Sequence, residues 1–101
     1  MSSRRIVGRV VGASMEPDFC DGHIIVIDTR VEPNPGDLIV VRYGGPKDFL
    51  FGQYYPRDPV VVGETVFNLV PLNQYFPTIT IDSSHPAELV GTMVGHSRSQ
   101  P

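Results

Sequence analysis

Ser14 is the residue around which chemistry could be built. It lies in Gly12-Ala13-Ser14-Met15-Glu16-Pro17. A serine hydroxyl becomes a nucleophile only when a neighbouring base takes its proton. His23, His85 and His96 could in principle supply that base, but nothing in the sequence brings any of them to Ser14. Taken alone, Ser14 reads as a turn or cap residue. The histidines show no metal-ligand spacing with one another or with Cys20, so no metal site and no cofactor is expected. Cys20, the single cysteine, reads as a small core residue. It cannot form an internal disulfide, which fits a reducing compartment. Asp18, Asp21, Asp37 and Asp82 read as turn formers. Tyr43, Phe49, Phe51, Tyr54 and Tyr55 read as packing residues.

The elements that must position Ser14 are short. Ile6 to Val11 reads as a strand broken by Gly8, and Ala13 to Phe19 as a turn or one short helical turn. After the turn signal Asp21-Gly22 comes the apolar run His23 to Asp28, suited to a buried strand. Pro33-Asn34-Pro35-Gly36-Asp37 is a rigid loop before a second apolar strand, Leu38 to Tyr43. Gly44-Gly45-Pro46 turns the chain, and Phe49 to Tyr55 returns as its hairpin partner. Val60 to Val62, Thr65 to Val70 and Thr78 to Ile81 read as further strands, and Ala87 to Val94 closes the fold. No segment has sustained helical periodicity, and there is no internal repeat. Short strands with turn signals about every ten residues predict an all-β barrel or sandwich.

The chain has 101 residues, enough for one domain with its own core. We assign that domain to residues 1–96, with 97–101 as a flexible tail. The net charge is −3 and Lys47 is the only lysine. Beyond Arg4, Arg5 and Arg9, which read as a solvated edge, there is no basic stripe. Duplex DNA is gripped chiefly by cationic side chains on phosphates, so this chain is not expected to hold DNA by itself. The apolar runs are too short to span a bilayer, and no secretory signal is evident. No membrane association and a cytoplasmic location are expected.

Four blocks in order resemble the C-terminal peptidase-type domain of LexA-like and phage-type repressors. The first is Gly12 to Pro17, followed by Phe19-Cys20-Asp21-Gly22 and the strand Ile24 to Asp28. The second is Val31 to Val41, with a Pro-x-x-Gly-Asp turn entering a strand. The third is Pro71-Leu72-Asn73 with Phe76-Pro77; here Gln74 stands where that family usually has proline, and Phe76 where it has tyrosine. The fourth is Val90 to Gly95. The resemblance covers residues 7 to 95. Bacterial signal peptidases share the Ser-Met-x-Pro and Gly-Asp elements. They usually add a membrane anchor and lack the Pro-Leu-Asn loop, so the repressor branch is favoured.

The resemblance implies a small, curved, partly open β-barrel with Ser14 at the nucleophile position. In the family a lysine on a later strand is the base, neutral because an apolar pocket desolvates its amine. The matching stretch is Phe51-Gly52-Gln53-Tyr54, so Gly52 stands at the lysine position and has no side chain to take a proton. Lys47 is a weak substitute. Its offset of five along a strand turns it to the opposite face, and it adjoins an exposed turn. If the pocket is otherwise intact, Gly52→Lys would restore cleavage.

The family's cleaved bond lies well upstream of the serine, and only thirteen residues precede Ser14. The chain is therefore expected to be a piece of a longer repressor or a short relative, with any DNA-reading helix-turn-helix upstream. The implied role is an oligomerisation and regulatory domain that forms a homodimer or higher homo-oligomer. Leu89, Val90, Thr92, Met93 and Val94 are the candidate interface. An SOS-type response with a RecA-type co-protease would act on the parent protein. Two alternatives stay open: a Ser-dependent self-cleaving peptidase with another base, and a soluble signal-peptidase relative.

Overall fold

The computed structural model describes residues 4–57 and 66–97. Among them are seven strands: β1 (Arg5–Arg9), β2 (Ile24–Asp28), β3 (Leu38–Tyr43), β4 (Phe49–Pro56), β5 (Phe67–Val70), β6 (Ile79–Ile81) and β7 (Ala87–Ser97). They form one sheet in the order β1-β2-β7-β3-β4-β5-β6, and every pairing is antiparallel. Among the described residues β1 and β6 are the outermost strands and do not pair with each other, so the barrel is open, as expected. No described residue lies in a helix, and no helix is long and apolar enough to cross a membrane.

The apolar run in β3 is continuous because both of its faces are covered. Side chains alternate along a strand. Val40 therefore joins a cluster with Val10, Met15, Phe19, Ile25 and Ile27. Its neighbours Ile39 and Val41 join a second cluster on the other face, with Phe67, Leu69 and Ile81. β4 follows the same alternation: Phe51 packs against the first cluster and Leu50 and Tyr54 against the second.

Turn chemistry fixes the strand ends. Gly36 takes a φ of 92° in the Pro-x-x-Gly-Asp turn, a conformation that glycine adopts at little cost. Asp37 closes that turn by accepting from the Asn34 amide at 2.8 Å. Asp21 accepts from the Gly12 amide at 2.8 Å. Asp82 accepts from the Ser84 and His85 amides, both at 2.9 Å, and the His85 amide foremost holds its carboxyl below the usual range. These three aspartates act as the sequence suggested. Cys20 does not: it is exposed, with its thiol towards the Pro17 carbonyl at 3.7 Å. Composition favoured burial, but the loop faces this side chain outward and buries Met15 and Phe19 instead.

β7 runs on to Ser97, three residues past the expected end, because His96 pairs with Ile25 and Ser97 with Ile24. Gly8 does not break β1; it pairs with Ile25 in register. The expected strand at 60–62 and residue 65 of the next lie outside the described residues, as do 98–101 of the expected tail. β7 also carries two register shifts, one between its pairings with Val26 and Ile27 and one between those with Val40 and Val41. Val94 and Val90 are the residues skipped. Between them lies Gly91, buried where β7 crosses β2. A Cβ there would stand 2.5 Å from Ile27 Cγ2 and 2.7 Å from the Asp28 carbonyl oxygen. Backbone cannot yield as a side chain can, so Gly91→Ala is expected to cost about 1–3 kcal/mol by the overpacking scale, read as a lower midpoint in urea unfolding.

Candidate functional site

The loop after β1 is closed at its base by backbone bonds. The Val10 amide donates to the His23 carbonyl at 2.9 Å, and the Gly22 amide to the Val10 carbonyl at 2.8 Å. Inside it the Glu16 amide donates to the Ala13 carbonyl (3.1 Å) and the Phe19 amide to the Met15 carbonyl (2.9 Å). Met15 and Phe19 are buried in the first cluster and pin the loop to the sheet. Ser14, between the exposed Gly12 and the buried Met15, is half-buried.

A second segment holds this turn from the side. Asn73 donates from Nδ2 to the Ala13 carbonyl at 2.9 Å and from its backbone amide to the Ser14 carbonyl at 3.0 Å. The adjacent Leu72 amide points at the Met15 sulfur, 3.4 Å away. Asn73 Oδ1 accepts from the Tyr75 amide at 3.0 Å, which orients the carboxamide. The Pro71-Leu72-Asn73 loop is thus a clamp on the Ser14 turn. Sequence reasoning found the motif but not this role, because the contact spans some sixty residues and leaves no local pattern.

Ser14 opens onto a groove of about 730 Å³. β1 and β4 both line it although three strands separate them in the sheet, so the sheet curls to bring them face to face. The lining is largely apolar, with Ile25, Val40, Phe51 and Val90 among it. Arg42 and Lys47 line it too. Arg42 is ion-paired with Glu88 on β7, and its guanidinium carbon lies 5.5 Å from the centre of the Phe49 ring. Lys47 lies in the turn between β3 and β4 and is exposed.

Ser14 and Lys47 both line this groove. Gly52 is elsewhere. It is buried and pairs with Ile39, and a Cβ on it would point to the second cluster, 2.9 Å from Leu69 Cγ, 3.0 Å from Leu69 Cδ1 and 3.3 Å from the Val70 carbonyl oxygen. The space that a side chain at 52 would need is already filled by Leu69. Among the described residues no hydrogen bond to the Ser14 hydroxyl is seen. His85 lies in the turn before β7, bonded to Asp82. His23 and His96 are bonded to each other at 3.0 Å. No group of three or more His, Cys, Asp or Glu able to hold a metal ion occurs among the described residues.

Of the five β7 residues singled out for association, three have partners within this chain. Val90 lines the groove. The Thr92 hydroxyl donates to the Val31 carbonyl at 2.7 Å. Met93 packs on the first cluster. Leu89 and Val94 are exposed, at 39% and 44%. β7 is hydrogen-bonded to β2 and β3 on its two sides, so its edge is not available for pairing and only side chains on its faces are.

The single open antiparallel sheet agrees with the comparison to known families: the model described as Peptidase S24-like matches residues 2–94. This chain belongs to the peptidase S24-like family. That is the family of LexA- and phage-repressor-type C-terminal domains that the sequence blocks resembled. No curated protein matches the chain.

Two outcomes follow for this S24-like site. Gly52→Ala is expected to destabilise by about 1–3 kcal/mol, and Leu69→Ala in the same chain to return part of that loss. A double-mutant cycle in urea should give a coupling of about 0.5–3 kcal/mol; purely additive effects would contradict the close packing at 52. Asn73→Ala removes one donor to the Ala13 carbonyl and is expected to cost about 1–3 kcal/mol, with amide exchange speeding up first in residues 13–19.

Proposed function

We propose that this S24-like chain is the regulatory, self-associating domain of a repressor of the LexA and phage type, and that it does not cleave. The observation that carries this reading is the environment of Ser14. A groove able to take an extended segment is present beside it, but the one lysine that lines this groove, Lys47, is exposed, and position 52, where the resemblance puts the base, faces Leu69 in the second cluster instead. General-base catalysis contributes roughly 10²–10⁴-fold, and without it a serine hydroxyl stays a poor nucleophile at neutral pH. Association of such domains would raise the effective concentration of linked DNA-binding domains on operator half-sites without this domain touching a base. Leu89 and Val94 are the apolar side chains on β7 free to meet a second copy.

A second reading has one observation in its favour: Lys47 shares the groove with Ser14. It would make the chain a Ser14-dependent self-cleaving peptidase with a displaced base. Exposure works against it, since an amine in water keeps its proton at neutral pH and a useful lysine base must be desolvated.

The two readings diverge under mild alkali, which deprotonates an exposed lysine. A version extended upstream of Met1 should remain intact at pH 10 if the first is correct. Scission before Ser14 that disappears in both Ser14→Ala and Lys47→Met would establish the second. Gly52→Lys alone is expected to give no cleavage, because its stem meets Leu69. On the associative side, sedimentation equilibrium at high micromolar concentration should show dimer or larger species, and Leu89→Glu with Val94→Glu should shift the population towards monomer. Monomer alone in the parent chain would remove the associative role.

A further inference from the structure

Among the described residues β1 is an outermost strand, paired with β2 on one side only. The register fixes which of its backbone groups that pairing uses. The Thr29 amide donates to the Arg4 carbonyl and the Val10 amide to the His23 carbonyl, each at 2.9 Å. Bonded and non-bonded residues alternate along an antiparallel pair, so the backbone groups of Ile6 and Gly8 turn to β2 as well. Those of Arg5, Val7 and Arg9 point the other way, and no strand among the described residues meets them. The outward N–H and C=O groups of these residues stand ready to pair with one further extended segment.

Side chains alternate along β1 too. A Cβ on Gly8 would face Ile25 and Ile27 of the first cluster. Ile6 and Gly8 therefore border the groove, and Arg5, Val7 and Arg9 lie on the opposite face, where Val7 is 68% exposed. Arg5 reaches the buried Asp28 at 3.7 Å, and Arg9 has no ion pair among the described residues. A second copy of β1 is a poor partner for this edge. Antiparallel pairing centred on Val7 sets arginine against arginine at both ends, and like charges directly opposite destabilise a strand pair. A strand with carboxylates at those two places gains where a copy loses. Its intervening side chains would hang over a groove whose lining is apolar at Ile25, Phe49 and Phe51.

We propose that the outer edge of β1 is a docking site for an extended acidic and apolar peptide of another protein, which adds to the sheet as a further strand along the groove mouth. The pattern it recognises is acidic, apolar, any, apolar, acidic. The carboxylates lie opposite Arg9 and Arg5, the middle residue lies opposite Val7, and the apolar side chains cover the groove. Main-chain bonds supply the affinity and the alternate side chains the specificity. A nucleic acid would meet the arginines but has no peptide groups to match the outward row on β1. The site is separate from the β7 side chains assigned to self-association and needs no chemistry at Ser14.

The test is titration of the intact chain with a blocked, fluorescein-labelled peptide, Gly-Ser-Glu-Leu-Thr-Leu-Glu-Ser-Gly, followed by anisotropy and by ¹⁵N amide shifts. Saturable binding in the millimolar range or tighter is expected, with the Val7 and Arg9 amides shifting and gaining exchange protection. Val7→Pro removes an outward amide without touching the bonds to β2. It should abolish binding while the amide spectrum of β3 and β4 holds. Methylating the peptide's threonine nitrogen should do the same with no change to the chain. Arg9→Glu should weaken binding about fivefold and favour a peptide with lysine in place of each glutamate. The proposal is overturned if nothing binds at millimolar peptide, if the lysine peptide binds the parent chain equally well, or if methylation leaves binding unchanged. A single-stranded oligonucleotide that binds more tightly than the peptide would overturn it too, and would assign the arginines to phosphate.

Discussion

The Ser14 turn has little regular structure of its own, and its position depends on two carbonyl groups being held from outside. Those of Ala13 and Ser14 accept from Asn73. A backbone acceptor left unbonded away from water costs about as much as a lost hydrogen bond, so the two segments order each other. Everything that gives Ser14 a defined outlook follows: Met15 can plug the first cluster only while its neighbours are fixed, and Phe19 can meet Phe51 only while Met15 is seated. The groove wall at Ser14 is therefore built from β1 and from this loop, which the segment after β5 holds in place.

The sheet supplies the other half of the constraint. β3 is covered on both faces, so the two clusters share a strand and a change on one side is felt on the other. Position 52 shows how this works. It pairs with Ile39 of the second cluster, while its neighbour Phe51 belongs to the first. With no Cβ at 52, β5 and its Leu69 approach β4 closely. Glycine inside a strand ordinarily weakens it by having nothing to pack. Here the neighbouring strand fills the gap, and the fold tolerates the missing side chain without a cavity.

What was legible in the sequence was mostly local or periodic. β3 could be read from Leu38 to Tyr43 because a strand buried on both faces leaves an unbroken apolar run. The turns at Asp37 and Asp82 could be read because an aspartate beside glycine or serine bonds amides two or three residues away, and the turn at Asp21 because Gly22 follows it, although Asp21 bonds the distant Gly12 amide. The four ordered blocks around Ser14 gave the family. What was not legible depends on distant partners. Asn73 as a clamp, the His23–His96 pair and the filling of position 52 by Leu69 all join segments far apart in the chain. Cys20 was misread because a small sulfur side chain carries no information about which way a loop will face it. The skipped residues Val90 and Val94 were hidden too, since a bulge is a property of two strands and not of one.

The clamp and position 52 are physically separable. Asn73, Met15 and Phe19 hold the serine turn through backbone bonds and burial, with no contribution from any side chain at 52. A lysine there would bring desolvation cost to the second cluster, and its absence relieves that cost. The seating of Ser14 is thus independent of position 52, and the groove beside it is lined by Arg42, which is tied to Glu88 across β3 and β7.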